Sequence, residues 1–159
     1  MLKIRLICIG KLKESYWRDA CSEYEKRMRP FCRFSVLELP ETRLPAAPSP
    51  AQISAALEEE GLRILKAAAG SALAALCVEG TPFSSERLAG WIGERELHGA
   101  GAVAFAVGSS YGLSGEVKRR AELRLSMSPM TFPHQLARVM LCEQLYRAFQ
   151  ILGHGKYHK

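Results

Sequence analysis

Residues 71–80, SALAALCVEG, are almost wholly apolar and end in glycine. An amphipathic surface helix would need a polar face, and a half-exposed strand would alternate. The run does neither, so it reads as a strand covered on both sides, the pattern of parallel sheets. A second run of the same kind, GAVAFAVG, occupies residues 101–108 and also stops at glycine. Between them Ser84 or Ser85 is placed to cap a helix reaching about Leu97. Two buried strands joined by a helix are the unit of a parallel sheet, because parallel neighbours need a long crossover.

Working outward from this unit gives more of the same. KIRLICIG (3–10) reads as a strand ending in a turn, and Ser15 as the cap of a helix to about Met28, stopped by Pro30. FSVLEL (34–39) reads as a second strand. PETRLPAAPSP (40–50) holds four of the eight prolines and must be extended, since each proline lacks a donor and restrains its predecessor. A helix from about Ala51 to Ala69 follows, with Gly70 beyond its end. SGEVKRRAE (114–122) reads as a short helix, LRLSMS (123–128) as a short strand, and the chain closes on a long helix. The alternation predicts a single α/β domain over residues 1–159, a mostly parallel sheet flanked by helices.

The 159 residues are 48% hydrophobic, enough for one domain with a real core. Met1 opens into LKIRLICIG, too short and too charged for a signal peptide, and no stretch nears the roughly 20 apolar residues of a membrane span. A soluble cytoplasmic protein is expected. The five cysteines, Cys8, Cys21, Cys32, Cys77 and Cys142, contain no C-x-x-C pair and read as reduced thiols, mostly in the core. Net charge is +6, unevenly spread: residues 1–40 carry nine Lys or Arg against five acids, residues 41–100 five against eight, and residues 101–159 eight against three. Lys26, Arg27, Arg29 and Arg33, with Lys118, Arg119, Arg120 and Arg124, suit either a phosphate footprint or an ordinary solvated surface.

In open α/β sheets ligands bind beyond the carboxyl ends of the strands. Three segments fall there: LCVEG (76–80), VGSSYG (107–112) and SMSPMTFP (126–133). The glycines at 108, 112 and 115 match neither a dinucleotide fingerprint nor a P-loop, so alone they indicate a turn. Met127, Met130 and Phe132 suit a flat aromatic ligand as well as a core.

On the final helix, Ala137, Leu141, Leu145, Ala148 and Leu152 share one sector, and Val139, Cys142, Tyr146 and Phe149 share the next. Together they span roughly 200°, about twice what one covered face needs. The helix is therefore expected to bury two sides, one on its own sheet and one on something else, for which a twofold partner is the simplest candidate. Arg138 projects from this apolar arc, and an unpaired buried charge is costly. It calls for a salt bridge to Glu143, Glu116 or a terminal carboxylate, or for a phosphate or carboxylate ligand. In the closing ILGHGKYHK, His154 and His158 have the i, i+4 spacing of helical metal ligands, yet Gly153 and Gly155 end the helix, and no metal site is expected.

FPHQLARVMLCEQLYRAFQILGHGKYHK (132–159), VGSSYGLS (107–114), SSERLA (84–89) and GKLKESYWRDACSEYEKR (10–27) together are similar to the RlmH family, ribosomal large-subunit pseudouridine methyltransferases of the SPOUT superfamily. The resemblance covers essentially the whole chain. It implies an α/β fold with a C-terminal deep trefoil knot, an exception to the rule against threaded loops, and a homodimer with cofactor sites at its interface. It implies methyl transfer from S-adenosyl-L-methionine to N3 of pseudouridine 1915, in a 23S rRNA hairpin loop on the assembled ribosome. Leu76, Gly108, Met127, Ser128, Pro129, Met130, Thr131 and Phe132 would then enclose the cofactor. His158, Tyr157 and His134 become candidates for the base that takes the N3 proton, with Arg138 and Lys159 holding phosphate or developing charge. The chain departs from the family where G-S-S-Y-G replaces a loop close to G-G-x-x-G, where Cys77 replaces an aspartate, and where Lys156 replaces a proline. These changes motivate an alternative, a knotted RNA- or ribosome-binding protein with weakened catalysis.

Overall fold

The computed structural model describes residues 1–158. Ten elements alternate along the chain: β1 (Lys3–Ile9), α1 (Ser15–Met28), β2 (Arg33–Leu39), α2 (Pro50–Ala67), β3 (Ala72–Pro82), α3 (Ser85–Leu97), β4 (Ala102–Val107), α4 (Gly115–Arg120), β5 (Leu123–Ser126) and α5 (His134–Leu152). All five strands are parallel, in the order β2-β1-β4-β3-β5. The apolar runs at 71–80 and 101–108 become β3 and β4, which lie side by side inside the sheet.

Strand side chains alternate between faces, and two cores result. Ile4, Leu6 and Cys8 of β1 join Val103 and Phe105 of β4 in a core closed by α1, α3 and α5. Ile7 and Ile9 join Ala104, Ala106 and Ala75 under α2 and α4, where the small side chains of β3 and β4 let the helices approach. Every residue of β4 is buried, as its sequence requires.

The capping signals hold with adjustments. Ser49 caps α2 through a reciprocal capping box with Gln52, ahead of Pro50 at the first helical position, so this helix starts just before the expected Ala51. Ser84 caps α3 by accepting from Arg87 N at 3.1 Å. Ser15 is the first residue of α1 and not its cap; Glu14 takes that position without a side-chain bond. β3 runs on to Pro82, but its pairing with β5 shifts register between Leu76 and Thr81, so residues 77–80 leave the ladder.

The final helix takes part of its second cover from its own chain. α5 packs between α1 and α3 of its own chain as well as on the sheet, so much of the wide apolar arc is used internally. What it leaves is a groove of about 520 Å³ lined by Tyr24, Phe83, Val139, Met140 and Gln144, among others. Cys8, Cys21, Cys32 and Cys142 are buried free thiols and Cys77 is half-buried. Burial pushes the Cys8 and Cys32 thiols up to about 12, so neither forms a reactive thiolate. No helix among the described residues is long and apolar enough to cross a membrane.

Candidate functional site

A cavity of about 670 Å³ opens at the carboxyl ends of β3, β4 and β5, the position where open α/β sheets take ligands. Its walls are the three segments singled out by sequence. Leu76 to Glu79 come from the departing end of β3, Val107 to Leu113 from the β4–α4 loop, and Met127, Ser128 and Met130 to Pro133 from the β5–α5 loop. The sheet brings together what lies some 20 to 50 positions apart in the chain.

Each wall is shaped locally. Gly112 has φ +86° and donates its amide to Ser109 O at 2.9 Å, folding the β4–α4 loop on itself. A Cβ on Gly108 would overlap the Gly112 carbonyl, so only glycine fits there. In the β5–α5 loop, Ser126 Oγ donates to Ser128 O at 3.1 Å and Ser128 Oγ accepts from Met130 N at 3.0 Å, which fixes this loop without helix or strand. Gly80 lies against β5, where a Cβ would stand 2.6 Å from Arg124 O. Lys118 and Glu79, both on the pocket wall, form an ion pair.

Seven of the eight residues expected to enclose a cofactor line this cavity: Leu76, Gly108, Met127, Ser128, Met130, Thr131 and Phe132. Pro129 stands off the wall. His134, at the start of α5, also lines it, beside Ala137. Burial, reinforced by the positive charge of Arg138 and opposed by Glu41, lowers the pKa of His134. Its imidazole is therefore neutral at pH 7 and free to accept a proton. The apolar walls of Leu76, Met127 and Phe132 suit a purine, and the exposed backbone of the glycine loop suits polar groups. The donor set thus fits an adenosine-type methyl donor.

Arg138, Tyr157 and His158 are not in this cavity. Arg138, 2% exposed, donates to Glu38 Oε2 at 2.7 Å and to Gly10 O at 3.1 Å. Among the described residues its partner is thus neither Glu143 nor Glu116. Glu116 binds Arg119 and Arg120, and Glu143 binds Arg147. The tail turns back onto its own helices: Tyr157 Oη donates to Glu143 Oε1 at 3.1 Å, and His158 Nε2 lies 2.7 Å from Glu86 Oε1 on α3. Burial and Glu143 raise the Tyr157 pKa, so it stays a phenol. Gly153 caps α5 and His154 takes φ 54°, so His154 and His158 share no helical face. Lys159 lies outside the described residues.

Lys118 and Ala137 also line the wall, though sequence reading assigned neither to the pocket. Lys118 sits in the basic run after the glycine loop, and only the docking of α4 beside β3 turns it toward the cavity.

A family model described as "Predicted SPOUT methyltransferase" matches residues 2–158, and the chain belongs to this family. Over 159 residues it is 45% identical to the Ribosomal RNA large subunit methyltransferase H of Bifidobacterium animalis subsp. lactis (strain AD011), covering 99% of this chain and 100% of that one. The fold is shared with a probable methyltransferase from Bordetella pertussis Tohama I, whose crystal structure superposes with TM-score 0.59 at 19% identity, covering 92% and 95% of the two chains. A probable methylase family protein from Haemophilus influenzae Rd KW20 superposes with TM-score 0.54 at 14% identity, over 99% of this chain and 70% of that one. A methyltransferase requires a methyl donor.

Proposed function

We propose that the chain methylates N3 of pseudouridine 1915 in a 23S rRNA hairpin loop on the assembled ribosome, with S-adenosyl-L-methionine as donor. The observation that carries the reading is the pocket: seven of the eight residues that the resemblance assigned to the cofactor line one cavity. The full-length relative named for large-subunit rRNA methylation supplies the substrate class. The cytoplasm is the compartment this substrate implies.

The donor, when bound, presents an electrophilic methyl group. The chain's share of the work is to hold that group in line with N3 and to exclude water, an effect worth about 7–11 kcal/mol when geometry is well fixed. Leu76, Met127 and Phe132 would clasp the base of the donor, and the backbone around Gly108 its polar part. His134, neutral and on the cavity wall, is placed to take the N3 proton, a role worth about 10²–10⁴ in rate. Loop bases splayed out of a hairpin are the form in which RNA offers such an atom.

The same reading includes a homodimer and a trefoil knot. The groove beside Val139 and Met140 is the surface on which a twofold partner would sit, and across it the tail of one protomer would approach the pocket of the other. His158 and Tyr157 would then join His134 at the target base. Arg138, held by Glu38 within its own chain, would act by fixing the start of α5. Mass spectrometry of the 23S hairpin, with and without this protein, tests the function. A gain of one methyl on the pseudouridine is expected, and unmodified rRNA from a chain that binds no S-adenosyl-L-methionine in calorimetry would favour the RNA-binding alternative.

A further inference from the structure

Among the described residues, Glu79 and Lys118 are the only acid and the only lysine or arginine that line the cavity at the carboxyl edge of the sheet. They come from different walls. Glu79 sits in residues 77–80, which leave the β3–β5 ladder, and Gly80 behind it packs closely against the Arg124 carbonyl. Lys118 is in the last turn of α4, next to Val117, which is fully buried in the core under α2 and α4. Packing therefore fixes the backbone that carries each charge.

Lys118 Nζ donates to Glu79 Oε1 in an ion pair. The lysine is the more enclosed partner, its side chain 26% exposed against 58% for the glutamate, so its covered stem holds the ammonium at the wall. The hydrogen bond from Lys118 keeps the Glu79 carboxyl below the ordinary carboxylate range, and the acid is ionised at neutral pH. Neither group is used up. An ammonium has three N–H donors and a carboxylate two oxygens, so each can take a second partner of opposite charge. A pair this open to water adds little to stability. What it does supply is one positive and one negative charge, side by side, on a wall otherwise made of apolar groups, hydroxyls and backbone.

S-adenosylmethionine combines an adenosine, a sulfonium and an α-amino acid whose ammonium and carboxylate stand on one carbon. The apolar wall suits the purine and the backbone of the glycine loop suits the ribose hydroxyls, but neither matches a zwitterion. We propose that Lys118 and Glu79 together bind the amino-acid head of the methyl donor, Lys118 donating to its α-carboxylate and Glu79 Oε2 accepting from its α-ammonium, so that four charges alternate in sign. The inference rests on the reading of this cavity as the methyl-donor site. Gripped at the purine and at the head, the donor cannot slide along the apolar wall, and the sulfonium between the two grips keeps its place.

The test uses the full-length protein, Lys118→Met and Glu79→Gln, with three ligands in calorimetry. S-adenosylmethionine is the donor itself, S-adenosylhomocysteine keeps the amino-acid head without the sulfonium, and methylthioadenosine keeps the adenosine without the head. Each variant is expected to bind the two ligands that carry the head about tenfold more weakly, the scale of one charge-assisted hydrogen bond. Methylthioadenosine should stay within about twofold of the parent, and the melting temperatures should match, because an exposed pair adds little to the fold. Equal weakening of methylthioadenosine would mean that the pair only shapes the wall, and undiminished S-adenosylmethionine affinity in either variant would mean that its charge takes no part; each result overturns the proposal. Loss for S-adenosylmethionine with S-adenosylhomocysteine unaffected would place the pair at the sulfonium and overturn it as well. A parent protein that binds none of the three would instead sink the reading of the cavity.

Discussion

Arg138 and Glu38, separated by 100 positions, close a 2.7 Å ion pair that joins the start of α5 to the end of β2. The pair is lopsided: the Arg138 side chain is 3% exposed and that of Glu38 34%. Glu38 also accepts from Leu12 N at 3.2 Å. Removing the acid strands a buried guanidinium whose Nε already lacks a partner, whereas removing the arginine leaves a carboxylate that water can reach. Glu38→Ala should therefore lose about 3–5 kcal/mol, and Arg138→Met clearly less, as read by urea denaturation. Equal losses would show that the two charges are equally sealed.

Gly108→Ala should break the pocket without breaking the fold. The new Cβ would press on backbone, the Gly112 carbonyl, which cannot swing aside as a side chain would. Over-packing of this kind costs about 1–3 kcal/mol, and the strain falls on the loop that lines the cavity. S-adenosylmethionine binding should disappear in calorimetry while far-UV circular dichroism stays that of the parent protein.

His134 gives the fold an acid-sensitive term. Its pKa is lowered below the ordinary 6.5, chiefly by burial, so the unfolded chain takes up a proton before the folded one does. Above that pH both states are neutral and the residue contributes no pH dependence. As pH falls through about 6.5, the unfolded chain gains the proton first and stability is lost until the folded state is protonated too. Urea midpoints at pH 7.5 and 5.0 should drop further for the parent than for His134→Asn, and an equal drop would contradict this account.

Deleting residues 157–159 should separate donor binding from chemistry. Tyr157 and His158 are anchored on Glu143 and Glu86, outside the cavity, so S-adenosylmethionine affinity should stay within about twofold of the parent, a change of under 1 kcal/mol. Methylation of ribosomes lacking the modification should vanish if the tail completes the partner's site. Full turnover by the truncated protein would remove the tail from the mechanism.

The strand order could not be read from the chain, but the strands themselves could, because an apolar run such as residues 101–108 has few other uses. The three pocket segments were legible for the same reason: they follow those strands. The burial of Glu60 was hidden by composition, since three successive glutamates suggest a solvated face. Spacing held the clue, because Ala56, Glu60 and Ile64 recur every four residues and all three are buried. The partner of Arg138 was beyond reach. Glu38 sits on an edge strand 100 positions away, and only the order of the sheet decides that the end of β2 meets the start of α5. The wide apolar arc of α5 was seen correctly, yet spacing alone does not say whether α1, α3 or a second protomer covers it.

The sheet order also sets a timetable for synthesis. β1, which precedes the other strands of the sheet in the chain, has two neighbours, β2 and β4, and the second of these ends at Val107. Until then the side chains of Ile4, Leu6, Ile7 and Ile9, all nearly inaccessible in the finished protein, have one edge of their strand unpaired. β3, made before β4, must wait for β4 on one side and β5 on the other. A nascent chain stalled before residue 102 would thus leave three strand edges without partners, one on β1 and both on β3, and its need for a chaperone should fall abruptly once β4 leaves the ribosome and closes two of them.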